Sequence, residues 1–309
     1  MKRVDGNLLS SLDQSWKNFS GAWKKARTKA SEKSVHDLRV STRRVIAILE
    51  LAKTLSDDAE TAKLQRRFKK VLKRMGPLRD TQVFLVNVSR IRQNGLIGKF
   101  KKTLLKRERR EIDGVRDDLK SGRKQKLSKA VEDLRSDFDS RQARLGQPKI
   151  HHSIEKVLTS RANELLKAQR RFHRSQPPNE DLLHEMRIAL KKLRYVVEAA
   201  QPVLGESAKD RAREMHGFQQ LIGETRDVEM LHTALEKWAS NRGKKIAVVP
   251  ALDQLQQQRD TLLKKVIDSL TELERTLTGT LKPVAEKTHA AAVGPKLDIA
   301  PASGNTGAD

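Results

Sequence analysis

The sequence predicts an all-α protein, and three observations carry that prediction. Apolar residues recur at steps of three and four, as Leu8, Leu12, Trp16, Phe19 and Trp23 do near the start of the chain, which is the spacing of one helix face. Ala, Leu, Lys, Arg, Glu and Gln dominate, and all are good helix formers. No convincing alternation of apolar and polar residues appears. The short run Ile246-Ala247-Val248-Val249 before Pro250 reads as a loop leading into a helix.

Taken in order, the first element is the Leu/Trp/Phe stripe, expected to pack into a core. A second helix is expected over 35–52, with Leu38, Val45, Leu49 and Ala52 on its apolar face. In the basic stretch that follows, Phe68, Val71, Leu72 and Met75 supply the core face and leave Arg66, Arg67, Lys69, Lys70, Lys73 and Arg74 on the others. Breakers separate the helical patterns at Gly76-Pro77, Gly146-Gln147-Pro148, Pro177-Pro178, Gly205 and Gly223. From about Pro283 onward the chain is rich in Ala, Gly, Pro and Ser and reads as a disordered tail.

Charge narrows the choice of partner. The 309 residues carry 64 Lys and Arg against 39 Asp and Glu, a formal net charge of +25. Self-repulsion on that scale favours an anionic partner: nucleic acid, an anionic membrane surface or a phosphate polymer. There are no cysteines, which excludes disulfides, thiolate metal sites and a Cys nucleophile, and fits a reducing compartment. The N-terminus lacks an apolar stretch of signal-peptide length. No window approaches the roughly 20 apolar residues of a spanning helix. The expectation is a soluble, cytoplasmic protein with no transmembrane segment.

The most informative feature is an internal repeat. Residues 35–52 read VHDLRVSTRRVIAILELA and residues 183–200 read LHEMRIALKKLRYVVEAA. Aligned without gaps, His36 meets His184, Asp37 meets Glu185, Arg39 meets Arg187, and Arg43 meets Lys191. A second pair follows in the same order, GPLRDTQV from Gly76 and GETRDVEM from Gly223. Two matched segments at nearly one offset imply two homologous helical halves, related by a pseudo-two-fold axis.

At about 100° per residue, His36, Arg39 and Arg43 share one helix face, as do His184, Arg187 and Lys191. Met186, Leu190, Leu193, Val197 and Ala200 form the opposite, apolar face of the second copy. Arg44 and Arg194 fall at the edges of the basic faces, roughly 80° round from the histidines. Successive turns lie about 5.4 Å apart, so each face is a ladder of cations along which a chain of phosphates can lie. Arg offers a planar fork of donors to phosphate oxygens and Lys a mobile point charge. Histidine adds a charge below neutral pH. A single basic face is usually a solvated face, but a solvated face has no need to recover the same His-x-x-Arg-x-x-x-(Arg/Lys) spacing twice.

The Gly-x-x-Arg-Asp segments have a structural reading of their own. Gly76 and Gly223 are expected as helix C-terminal caps, with Asp80 and Asp227 in the first turn of the next helix, where the macrodipole favours a carboxylate. Arg79 and Arg226 are candidates for an anion site near those helix starts. Lys70 and Lys73 are taken as candidates that extend the polyanion path.

At these residues the chain resembles the CHAD family, the conserved histidine α-helical domain. The resemblance rests on VHDLRVSTRR with LKRMGPLRDTQV, then LHEMRIALKKLRYVVE with FQQLIGETRDVEML, four segments in the expected order over roughly residues 5 to 280. It implies two antiparallel four-helix bundles around a basic central cleft or pore, one half over residues 1–145, the other over 146–282, with the tail over 283–309. It also implies binding of inorganic polyphosphate, with His36, Arg39, Arg43, His184, Arg187 and Lys191 facing the ligand and Arg79 and Arg226 beside them. Some relatives carry a triphosphate tunnel hydrolase domain; the β-barrel and E-x-E-x-K signature of that domain are not found here. The expectation is a stand-alone, non-catalytic binder without a cofactor, acting in the cytoplasm and at polyphosphate granules.

The first rival is a nonspecific nucleic-acid binder, and weak nucleic-acid binding is the expected by-product of charge. Aromatic residues are only 4% of the chain, and no basic run is interleaved with aromatics for base stacking. A phosphotransfer role for His36 or His184 is the second rival, and no acidic metal pair, P-loop or catalytic triad accompanies it. A metal site at His151-His152 has no diagnostic spacing. A membrane role for the N-terminal stripe is the third rival. Protein partners are not legible in the sequence.

Overall fold

The computed structural model describes residues 8–55 and 59–277, and among these there is no β-strand. The chain is a helical bundle. Its helices are α1 (Leu8–Thr28), α2 (Glu32–Leu55), α3 (Ala59–Arg74), α4 (Gly76–Val88) and α5 (Gly95–Asp118), then α6 (Ser121–Arg174), α7 (Glu180–Leu204), α8 (Glu206–Ser240) and α9 (Val249–Asp268). A single 3₁₀ turn over Ile246–Val248 leads into α9, and residues 270–277 form one more short helical stretch. The tail expected from 283 lies outside the described residues.

Local chemistry explains most boundaries. Asn94 and Asn179 cap α5 and α7, each side-chain oxygen accepting from two backbone N–H groups of the first turn, which satisfies donors the helix cannot. Gly205 ends α7 at φ 84°, a left-handed conformation that a residue without Cβ adopts freely. The Gly146-Gln147-Pro148 breaker divides α6 into two helical segments. It kinks α6, where Gly146 takes φ 72° and ψ 158° and Pro148 removes one backbone donor.

The two cap expectations for the repeated glycines are not met. Neither Gly76 nor Gly223 has positive φ. Gly76 is the first residue of α4, and Gly223 lies inside the unbroken α8. The difference between the two is proline. Pro77 enforces a break after α3, whereas no proline follows Gly223, and a lone glycine costs a helix only about 1 kcal/mol relative to Ala. Asp227 is therefore mid-helix, and Asp80 is the fifth residue of α4, so the macrodipole account of the two carboxylates fails as well.

The expected apolar faces are the core. Leu38, Val45, Leu49 and Ala52 on α2 and Met186, Leu190, Leu193, Val197 and Ala200 on α7 are all buried. So are Leu8, Leu12, Phe19 and Trp23 of the α1 stripe, with Trp16 half-buried against them. Trp23 Nε1 donates to the Leu119 carbonyl at 3.1 Å, which satisfies its one polar group. The stripe packs against α2 and α7, the use expected of it over a lipid contact.

Core burial does not follow the order of the chain. One apolar cluster combines α1, α2, α3, α6, α7 and the first part of α8. A second joins Phe84, Val88, Phe100 and Leu104 of α4 and α5 to Leu231, Leu235, Leu252 and Leu255 of α8 and α9. Each cluster takes side chains from both sides of the kink at Gly146, so the two repeats interlock. That interlocking places α2 directly against α7.

Candidate polyanion-binding cleft

Where α2 meets α7, and α4 and α8 close the sides, the molecule has a cleft of about 900 Å³. Burial of the apolar faces of α2 and α7 leaves their basic faces nowhere to point but into this space. Of the residues singled out in the sequence, His36, Arg39, Arg43 and Arg44 line it from α2, Arg187, Lys191 and Arg194 from α7, and Arg79 from α4.

Four of the expected residues do not line it. Lys70 and Lys73 are exposed on α3 and are not part of the wall, because the apolar face of α3 turns them outward. His184 and Arg226 are half-buried and outside the lining. Arg226 is engaged by Glu229 at 2.7 Å. His184 feels the charges of Arg226, Arg187 and Lys191, and its Nδ1 is buried without a hydrogen-bond partner among the described residues.

The lining cations fall into two groups. Arg44 pairs with Glu198 at 3.1 Å, Arg194 pairs with the same carboxylate, and Arg79 pairs with Glu32. Arg194 is further held by Gln219 at 2.9 Å and lies 4.3 Å from the Tyr195 ring centroid. Among the described residues, Arg39, Arg43, Arg187 and Lys191 form no direct ion pair. Arg39 donates to the Leu72 carbonyl at 2.9 Å, and Arg43 has the Tyr195 hydroxyl as a hydrogen-bond partner.

These four groups crowd one another, and their acidities record it. Burial, then the charge of Arg43, holds Arg39 down to about 10. Burial, then Arg187, Arg43 and Arg39, holds the Lys191 amine down to about 6. Arg43 and Arg187 are likewise lowered, mainly by burial. Asp80 and Asp227 provide the nearby negative charge, acting on Arg39 and Arg187 respectively. Burial raises both carboxyls above the usual range although the arginines pull them down. His36 and His184 are also lowered, by burial and then by Arg79 and Arg226. Their gain of charge is therefore moved further below neutral pH than the sequence suggested.

Several lining residues were not singled out in the sequence. Lys209, Arg213, His216 and Gln220 enter from the first part of α8 at steps of four, three and four, a periodicity that was legible. Tyr195 and Glu198 had no signal of their own, since their roles depend on which helix lies opposite; Asp80 and Asp227, marked by the repeat, line the cleft as well.

Fold and site together define an all-helical protein whose internally repeated basic helices converge on one cationic cleft. The sequence model of the CHAD domain matches residues 10–236, and the chain belongs to the CHAD family. Among solved structures, the crystal structure of the CHAD domain from the plant Ricinus communis is similar, with a TM-score of 0.63 and 17% identity. The match covers 89% of this chain and 91% of that one, which is a likeness of fold. No curated protein matches the chain. Among the described residues, no helix is long and apolar enough to cross a membrane.

Proposed function

We propose that this protein binds inorganic polyphosphate, without turning it over, along the cleft between α2 and α7. The observation that carries the reading is the cluster of Arg39, Arg43, Arg187 and Lys191, half-buried in the cleft and without a direct carboxylate partner among the described residues. Desolvated cations that crowd one another are costly, and a polyanion supplies several oxygens to each while restoring the charge balance. Guanidinium–phosphate hydrogen bonds are the strong, charge-assisted kind, and the low local dielectric strengthens them. Membership of the family agrees with this ligand. The proposed place of action is the cytoplasm, including polyphosphate granules.

The test is a titration of the protein with long-chain polyphosphate, single-stranded RNA and duplex DNA at one near-physiological salt concentration, with direct competition. Polyphosphate is expected to bind far more tightly and to resist displacement by either nucleic acid. Equal binding of all three, or displacement by RNA, makes the cleft a general polyanion surface and ends the assignment.

A further inference from the structure

Lys191 is the odd member of the cationic cluster. Its counterpart in the first repeat is Arg43, so the ladder carries a guanidinium on one side and an amine on the other. Arg187 on its own helix and Arg39 and Arg43 on α2 are the cations that act on it, and Asp227 on α8 is the opposing carboxylate. Arg79 and Asp80 of α4 line the same cleft. A guanidinium does not give up its proton in a protein, so among four crowded cations only the lysine can relieve the repulsion by deprotonating. Burial acts in the same direction, and the amine is held down to about 6. Lys191 lines the open cleft together with Arg39, Arg43 and Arg187, and a lowered amine favours the unprotonated form that makes a lysine a nucleophile.

An amine nucleophile surrounded by phosphate-binding forks fits one class of small reagent. We propose that Lys191 is an acylation site for small acyl phosphates, with the phosphate seated on Arg39, Arg43 and Arg187 and the acyl carbonyl delivered to the lysine amine. This rests on reading the cleft as a phosphate site. The amine lone pair attacks the acyl carbon, a C–N bond forms, and the C–O bond to phosphate breaks. The proton lost by nitrogen leaves with the departing group as hydrogen phosphate, so no other reactant is required. The arginines seat the reagent and stabilise the charge that develops on the leaving phosphate. The product is an amide that can no longer gain a proton, so acylation removes one potential cation from the cleft and weakens polyanion binding. A bound polyanion in turn shields the amine.

The full-length protein is incubated with acetyl phosphate at pH 7.5, and modification is located by fragment-ion mass spectrometry, with exposed Lys192 as the internal reference. Lys191 is expected to react at least about tenfold faster than Lys192, because an ordinary lysine is only about one part in a thousand unprotonated at that pH. Excess polyphosphate is expected to suppress the reaction at Lys191 and leave Lys192 unaffected. Modification of Lys191 no faster than Lys192 overturns the proposal. A parallel arm uses acetic anhydride, which carries no phosphate. Rapid labelling of Lys191 by the anhydride but not by acetyl phosphate overturns acyl-phosphate delivery, and the proposed function is then judged by polyphosphate binding alone. Polyphosphate binding without acetylation of Lys191 by acetyl phosphate overturns this proposal and leaves the function standing.

Discussion

Arg187 on α7 lays its guanidinium against the backbone of Gly223 on α8. A Cβ built on Gly223 would stand 3.5 Å from Arg187 Nη2 and 3.7 Å from Nε. The glycine of the second Gly-x-x-Arg-Asp segment thus serves a close approach in the middle of a helix, and Arg187 Nε is left buried without a hydrogen-bond partner among the described residues.

Two substitutions separate the helix from the contact. Gly223→Ala is expected to raise thermal stability by up to about 1 kcal/mol, since a methyl group at those distances is in ordinary van der Waals contact. Gly223→Leu is expected to displace the guanidinium and weaken polyphosphate binding about tenfold, or about 1.4 kcal/mol. Thermal melts and a binding titration on both variants check the pair; unchanged affinity in the leucine variant would remove Arg187 from the site.

Replacing Arg39 and Arg187 together by Gln removes from each repeat one cation that has no ion pair among the described residues. Charge-assisted hydrogen bonds are worth about 1.5–3 kcal/mol each, so polyphosphate affinity is expected to fall by at least about a hundredfold. Helical content by circular dichroism is expected to stay at the parent level. Retention of full affinity in a folded double variant would place the ligand elsewhere on the molecule.

The pH dependence follows from Lys191. Its amine is lowered from 10.5 to about 6 in the folded chain, so between those values the unfolded chain binds more protons. By linkage the contribution of this group makes stability rise with pH across that window. A polyanion opposes the crowding by Arg187, Arg39 and Arg43 and draws the proton back. Binding above pH 6 is therefore accompanied by proton uptake, and affinity falls as pH rises. His36 and His184 are both lowered from 6.5, so near pH 8 the lysine dominates the uptake. Calorimetry in buffers of different ionisation enthalpy is expected to show uptake approaching one proton, lost in Lys191→Arg. Persistence of the full uptake in that variant would assign the proton to another group.

Phe19 tests the role of the α1 stripe. It is fully buried, with ring centroids 5.4 Å from Trp16, 5.5 Å from Trp23 and 5.1 Å from Phe68. Phe19→Ala is expected to cost about 3–5 kcal/mol of unfolding free energy. Denaturant titration measures it, and a loss below about 1 kcal/mol would show that the stripe does not anchor the core.

Much was legible in the sequence because helices write their faces into local spacing. The all-α class, the repeat, the buried stripes of α1, α2 and α7, and the basic faces that enter the cleft depend on residues three or four apart. The break at Pro77 and the cap at Gly205 are equally local.

What tertiary structure decided is which charges remain available. Arg44 is paired with Glu198, a residue on another helix, and Arg79 with Glu32, whereas Arg39, Arg43, Arg187 and Lys191 meet one another across the α2–α7 contact. Lys70 and Lys73 share the composition of the site and face away from it, because the core face of α3 fixes their direction. Gly223 reads as a breaker until Arg187 is seen against it. Spacing along one helix specifies a face, but the charge state of that face depends on distances to groups on other helices, and only packing of the apolar sides sets those distances.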